Sequence, residues 1–219
     1  MAILHEMPAF LLAVLFIAAV PGPVVALLVR RCSVGGLQAG VPIVIGVELG
    51  LYFCIIAAGA GLAALVATSH VAYTALRVAG AVVLTILGLQ AWGAAIRGRH
   101  SDEPTVVDVA ELPAAKLLGR GWVGGLITGF ITNVANPKAA VFIFAFYPQF
   151  IPTGYPALPT AALLGLLQIG IEGALYFGFA AAIGRARHWF TKSTVRHRLE
   201  ALSGTALIGL GLRVATQSQ

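Results

Sequence analysis

Six long apolar segments occupy nearly the whole chain and restrict what it can fold into. They run over about 8–29, 38–66, 71–96, 121–147, 157–183 and 199–216. Each is long enough to cross a bilayer as a helix, which takes about 20 largely apolar residues. Only 10% of the 219 residues are charged, whereas a soluble domain has roughly a quarter. The sequence therefore predicts an all-α, polytopic membrane protein with six transmembrane helices in one domain, 1–219.

The basic residues are sorted by loop, and this sorting predicts the orientation of the chain. Because cytoplasmic loops carry an excess of Lys and Arg, the loops after the first, third and fifth segments are predicted to be cytoplasmic. Both termini then lie outside the bacterial inner membrane. The net charge of +6 thus reflects topology rather than nucleic-acid binding, and the first segment lacks the basic start of a cleaved signal peptide. Eleven of the fourteen Lys and Arg lie in those loops: Arg30, Arg31, Arg97, Arg99, Lys116, Arg120, Arg185, Arg187, Lys192, Arg196 and Arg198.

Two of the segments are interrupted by proline motifs. In Asn136-Pro137-Lys138 the proline has no amide hydrogen for the carbonyl of Asn133, so the fourth helix should kink or end there. Asn136 and Pro137 also suit the N-cap and first residue of a restarted helix, whose positive dipole end would favour a carboxylate beside Lys138. In Pro21-Gly22-Pro23 the prolines would free carbonyls to accept an ammonium or a cation.

An internal repeat relates the second and fifth segments. Residues 46–53 read GVELGLYF and residues 170–177 read GIEGALYF, and six of the eight positions agree in identity or close type. Each copy follows a proline-broken segment, and each half contains three segments. We therefore expect two inverted three-helix repeats, about 8–96 and 121–216, joined by a cytoplasmic loop over 97–120. Transporters built this way bind substrate between broken helices near the midplane.

Glu48, Glu172 and Lys138 are the charged side chains expected deep in the membrane. Each costs on the order of 3 kcal/mol at the centre of a lipid-facing helix, so we expect them to face one another or water. Glu48 and Glu172 are the candidate proton- or ion-coupling pair. The predicted substrate site comprises Pro21, Gly22, Pro23, Glu48, Tyr52, Asn133, Asn136, Pro137, Lys138, Gln168, Glu172 and Tyr176.

These motifs, in this order and with six spans, resemble the LysE/RhtB family of bacterial amino-acid exporters. The resemblance rests on Pro21-Gly22-Pro23, on Asn136-Pro137-Lys138 and on the run that ends at 147–150, YPQF. It implies a secondary-active exporter of amino acids or related small metabolites, coupled to a proton or ion gradient and homodimeric. Family members often have an acidic or polar residue near Leu51, whereas this chain has its acid at Glu48.

Other interpretations of the same residues stay open. One is a purely structural arrangement, a buried Glu172–Lys138 ion pair with Glu48 bonded to freed backbone donors at the other break. Separately, each proline would be a simple kink without ligand contact if neighbouring groups satisfied the freed carbonyls. Paired glutamates and free carbonyls would also suit export of an inorganic metal cation. An intramembrane enzyme is disfavoured because neither the His-Glu-x-x-His nor the Gly-x-Ser-x-Gly pattern occurs. The histidines lack ligand spacing, so we expect no cofactor.

Overall fold

The computed structural model describes residues 2–19, 22–97, 121–152 and 154–190, with Thr205 and Ile208. All secondary structure in these ranges is helical, which confirms the all-α class for this part of the chain. The helices are α1 (Ala2–Ala19), α2 (Pro23–Thr68), α3 (His70–Arg97), α4 (Trp122–Val134), α5 (Pro137–Phe150) and α6 (Ala157–Phe190). The connecting loop 98–120 and nearly all of the sixth predicted span lie outside the described residues.

Both predicted helix breaks are present. The first lies between the end of α1 at Ala19 and the start of α2 at Pro23, where Gly22 is extended (φ −150°, ψ −167°). The second separates α4 from α5, whose axes are bent by 59°. Proline stands at the first position of the restarted helix in both cases, where its missing amide hydrogen costs no intrahelical bond.

The long helix α2 folds back on itself at Gly36. Gly36 has φ +63° and ψ −163°, a region of backbone space that is essentially open to glycine alone. A Cβ built at Gly40 would lie 4.0 Å from Leu28 Cδ2, although twelve helical residues would separate the two positions by about 18 Å in a straight helix. The loop between the first two predicted spans is therefore a tight turn at Gly36, and α2 consists of two antiparallel arms.

The number of membrane spans stays a prediction. Two described helices, Pro23–Leu65 and Ala157–Ile183, are long and apolar enough to cross a bilayer, and the bent pair of α4 and α5 makes a third if it is one span. Met7–Ala19 is apolar but shorter. Helices cover five of the six predicted spans, but six crossings and two inverted repeats are not established by these lengths.

Glycines allow the central helices to touch backbone to backbone. A Cβ at Gly46 in α2 would overlap the carbonyl oxygen of Leu126 in α4, and one at Gly129 in α4 would overlap that of Ile43 in α2. Gly50 and Gly125 lie in the same crossing. A Cβ built at Gly50 would lie 2.7 Å from Phe130 O, and one built at Gly125 would lie 2.9 Å from Pro42 Cγ. The Gly-xxx-Gly pair of α2 (Gly46 and Gly50) thus faces that of α4 (Gly125 and Gly129). Facing pairs of small residues are a usual mode of close packing between membrane helices.

The described helices pack through two apolar clusters. One joins α1, the second arm of α2, α5 and the start of α6, and includes Phe10, Leu51 and Phe146. The other joins the two arms of α2 to the later part of α6, around Leu28 and Tyr176. Residues of both clusters line the cavity described next.

Candidate functional site

A small cavity lies where the first turns of α2 and α5 meet the middle of α6. Its volume is about 40 Å³, which is room for about three water molecules. A whole amino acid has more heavy atoms than that, so binding one would require the surrounding helices to separate. The predicted site residues that line it are Gly22, Pro23, Asn133, Asn136, Lys138, Gln168, Glu172 and Tyr176.

Asn136 starts α5 as predicted. Its backbone is extended (φ −80°, ψ 109°) and its Oδ1 accepts a hydrogen bond of 3.0 Å from the Lys138 amide. Pro137 follows as the first helical residue. The N-terminus of α5, with its partial positive charge, therefore lies at the cavity together with the side chain of Lys138.

A second helix N-terminus reaches the same cavity. α2 begins at Pro23, and Val24 and Val25 of its first turn also line the space. Amides in the first turn of a helix have no intrahelical acceptor, so this end can donate to a bound anion. Each of the two proline breaks therefore places a helix N-terminus at the same cavity.

A polar network crosses from α5 to α6 beside the cavity. The Tyr147 hydroxyl donates to Gln168 Oε1 at 2.8 Å, and Gln168 Nε2 donates to Glu172 Oε2 at 3.2 Å. Tyr176 lies one helical turn beyond Glu172 and also lines the cavity, and Lys138 interacts with the Glu172 carboxyl electrostatically. Glu172 is only 8% exposed, so the network fixes a buried carboxyl that faces a lysine across the cavity.

Asn133 presents a polar group with no partner among the described residues. The side chain is 3% exposed and lines the cavity, and its Nδ2 has no hydrogen-bond partner there. A buried unsatisfied donor costs about 1–3 kcal/mol. A ligand acceptor in the cavity would remove that cost.

Three predicted site residues lie near the cavity but are not among the residues that line it. Glu48 packs against Gly173 of α6, with its Cγ 3.6 Å from a Cβ built there, and neither carboxylate oxygen has a hydrogen-bond partner among the described residues. The Tyr52 ring lies against Gly165. Pro137 contributes the start of α5, and the prediction for Pro21 lies outside the described residues.

The predicted interruption at Pro137 is confirmed, and the Asn133 carbonyl, to which Pro137 cannot donate, accepts a 3.0 Å hydrogen bond from the Asn136 amide. One detail of the structural alternative is wrong: it placed Glu48 on freed backbone donors at the first break, but its oxygens have no described partner. A sequence shows which groups lose a helical partner, and not which groups the fold then brings to them.

The apolar part of the cavity wall was not predicted. It consists of Ile17, Val24, Val25, Leu51, Ala139 and Phe142. Tyr147, which orients Gln168, was also missed as a site residue, although it belongs to the motif run at 147–150. Apolar residues in an apolar span carry no sequence signal that separates a cavity wall from a lipid-facing or packing position.

Comparison with known proteins identifies the family. The model of the LysE type translocator family matches residues 15–218. An uncharacterized membrane protein of Vibrio cholerae serotype O1 is 29% identical over 213 residues, covering 97% of this chain and 98% of that protein. A homoserine/homoserine lactone efflux protein of Salmonella typhimurium is 28% identical over 181 residues, which cover 83% of this chain and 82% of that protein.

No solved structure matches the chain. The family match nevertheless includes both proline breaks, the acids at 48 and 172 and the whole cavity. The resemblance inferred from the motifs is confirmed, and the chain belongs to the LysE type translocator family.

Proposed function

We propose that this protein exports amino acids or closely related small metabolites across the bacterial inner membrane by secondary-active transport. One observation carries the proposal: Lys138, Glu172 and two helix N-termini line a single cavity. An α-amino acid at neutral pH is a zwitterion, with one anionic and one cationic group on neighbouring atoms. The cavity offers a complementary group for each.

The carboxylate end of the substrate would bind at the start of α5. The Lys138 ammonium and the α5 dipole favour an anion there, and Asn133 Nδ2, which has no partner among the described residues, adds a donor. The first turn of α2 faces the same space. We infer that binding satisfies Asn133, which would otherwise remain a buried donor without an acceptor.

The ammonium end would bind Glu172. Gln168 already donates to that carboxyl at 3.2 Å, so its position is restrained before the substrate arrives. A fixed ligand group loses little entropy on binding. We therefore assign substrate binding to Glu172, whereas the sequence analysis included both Glu48 and Glu172 in the substrate site.

Glu48 is then the candidate carrier of the coupling proton or ion. It lies outside the cavity lining but close enough to Glu172 for the two carboxyls to interact electrostatically. A buried carboxylate with no partner is costly in a low-dielectric interior. Movement of α2 against α6 would change that environment, and this would link the charge of Glu48 to opening of the site.

The relatives support export of a small molecule. The Salmonella typhimurium relative is named for efflux of homoserine and its lactone, and homoserine is itself an α-amino acid. We extend amino-acid export to this chain on that likeness and on the paired charges of the cavity. The homodimer implied by the family resemblance is part of the same proposal.

Metal-cation export has less support. No group of three or more His, Cys, Asp or Glu that could hold a metal occurs among the described residues. The lysine at the cavity would also repel a cation. The family as a whole transports rather than catalyses, so we assign no enzymatic step.

Efflux from dipeptide-loaded cells tests the proposal. Cells that express the chain are loaded with dipeptides of different composition, and the amino acids released to the medium are measured over time. We expect faster efflux of at least one amino acid than in cells with empty vector, and Lys138→Gln and Glu172→Gln should abolish the difference. Thr160→Val is the control, because Thr160 is buried in α6 and the hydrogen bond of its side chain within the described residues is local, to Pro156 O. Unchanged efflux of every amino acid tried would contradict the proposal.

A further inference from the structure

One wall of the cavity is apolar and held in place. Ile17, Leu51 and Phe142 line it and belong to, or pack against, one cluster. Leu51 is 2% exposed and Phe142 is 3% exposed. The Phe142 ring stacks on Phe146 with ring centroids 4.2 Å apart. Each of these side chains is backed by further apolar side chains of the cluster, so the wall stays apolar when the helices separate.

A bound zwitterion would pair with both of the described charged side chains that line the cavity. Among the described residues that line it, Lys138 and Glu172 are the charged ones. The α-carboxylate and α-ammonium of an amino acid would take one each. A charged side chain would then have no described partner at the lining, and an uncompensated buried charge is strongly unfavourable.

Two of the polar side chains near the wall are already engaged. Gln168 accepts from Tyr147 and donates to Glu172, and Asn136 Oδ1 accepts from the Lys138 amide. Asn133 Nδ2, which has no described partner, is assigned above to the carboxylate. The side chains of Leu51 and Phe142 present only carbon, so a substrate hydroxyl placed against them would lose its bonds to water.

We propose that Ile17, Leu51 and Phe142 form the side-chain subsite and select amino acids with uncharged aliphatic side chains. The inference rests on the proposed amino-acid export and adds the substrate class. Aliphatic side chains are favoured over hydroxylated side chains of the same size, and charged side chains are rejected. Apolar pockets discriminate weakly against an added hydroxyl, by roughly 10² in known cases. We therefore expect a preference of about 10- to 100-fold.

Matched substrate pairs test this subsite. The full-length protein is reconstituted in proteoliposomes, and initial transport rates are measured for norvaline against homoserine, valine against threonine, and for lysine and glutamate. The members of each pair have nearly the same shape, so their rate ratio isolates the hydroxyl. Norvaline and valine should exceed their partners by about 10-fold or more, and lysine and glutamate should not exceed empty liposomes.

Substitutions at the wall give a second, independent measurement. Leu51→Asn and Phe142→Tyr add polar groups to the cavity and should lower the norvaline-to-homoserine ratio about tenfold. Leu62→Asn is the matched control, because Leu62 is also 2% exposed and in the same cluster and helix but is not among the lining residues. Its ratio should remain that of the unchanged protein.

The outcomes separate the subsite from the broader function. Equal or faster transport of homoserine, threonine or lysine by the unchanged protein would overturn the aliphatic subsite and leave amino-acid export standing. A ratio that moves equally in Leu51→Asn and Leu62→Asn would also overturn it. Transport of none of the six compounds would overturn the subsite, and the efflux measurement described above then decides amino-acid export separately.

Discussion

At the scale of single residues, Asn136 has two separable roles. Its side chain caps α5 by accepting from the Lys138 amide at 3.0 Å, and its position at the cavity places it beside the proposed carboxylate site. Any small side-chain acceptor can cap a helix. Only a neutral one leaves the local positive charge available to an anionic substrate.

Different substitutions at Asn136 should therefore change the free energy of unfolding and the affinity for substrate separately. Asn136→Ala removes the cap and should lower the free energy of unfolding by about 1 kcal/mol, whereas Asn136→Ser and Asn136→Asp retain it. Asn136→Asp places a negative charge at the α5 N-terminus and should weaken substrate binding up to about tenfold, which corresponds to about 1.4 kcal/mol. Thermal unfolding in detergent and the substrate concentration for half-maximal transport measure the two effects. Equal binding by the Ser and Asp variants would contradict the carboxylate assignment.

At the scale of elements, α2 is the helix around which the others pack. Its second arm crosses α4 through the facing glycines and runs antiparallel along α6, where Gly40 meets Ala180, Glu48 meets Gly173 and Gly59 meets Ala161. The two copies of the sequence repeat therefore pack against each other with the two acids near the centre. Inverted repeats would produce this arrangement.

The crossing of α2 and α4 should tolerate no added methyl group. Gly46→Ala places a Cβ on the Leu126 carbonyl oxygen, and overpacking of this kind typically costs about 1–3 kcal/mol. Gly170→Ala is the matched control in the other repeat, because no described atom lies within 4 Å of a Cβ there. It should be neutral or stabilising by up to about 1 kcal/mol, since alanine favours helix over glycine. Unfolding of the purified proteins in detergent compares them, and equal stabilities would show that the crossing is looser than the structure indicates.

At the scale of the whole molecule, the two acids should act at different steps of transport. Glu172 faces the cavity and Lys138, whereas Glu48 lies at the contact of α2 with α6. Substrate exchange across a membrane needs binding and helix movement but no net transfer of a coupling ion. Net transport against a gradient needs all three.

Glu48→Gln should keep exchange and lose gradient-driven transport, while Glu172→Gln should lose both. For Glu172 the loss should be at least about thirtyfold, because removing one partner from a buried charge pair costs about 2–5 kcal/mol. Proteoliposomes with equal internal and external substrate measure exchange, and an imposed pH or ion gradient measures driven transport. If both variants lose exchange to the same extent, Glu48 is a substrate ligand as well.

The sequence by itself determined the helical class, the two breaks and the family. Long apolar segments can satisfy their backbone in lipid only as helices or closed barrels, and Asn-Pro and Gly-Pro pairs at a helix start act through local backbone chemistry. Five of the eight predicted site residues that line the cavity lie at or beside these breaks: Gly22, Pro23, Asn133, Asn136 and Lys138. Six crossings, the inverted repeat and the outward termini remain predictions.

Only the tertiary structure decided how the two acids differ and which apolar residues form the wall. Glu48 and Glu172 have nearly identical neighbours in the sequence. In the structure Glu172 lines the cavity together with Lys138, whereas Glu48 packs against Gly173 of α6. Leu51 and Leu62 are equally buried leucines of one helix, and only Leu51 is among the cavity residues. Local sequence fixes where a helix can break, because that depends on neighbouring residues. The surface that a buried side chain meets depends on residues distant along the chain.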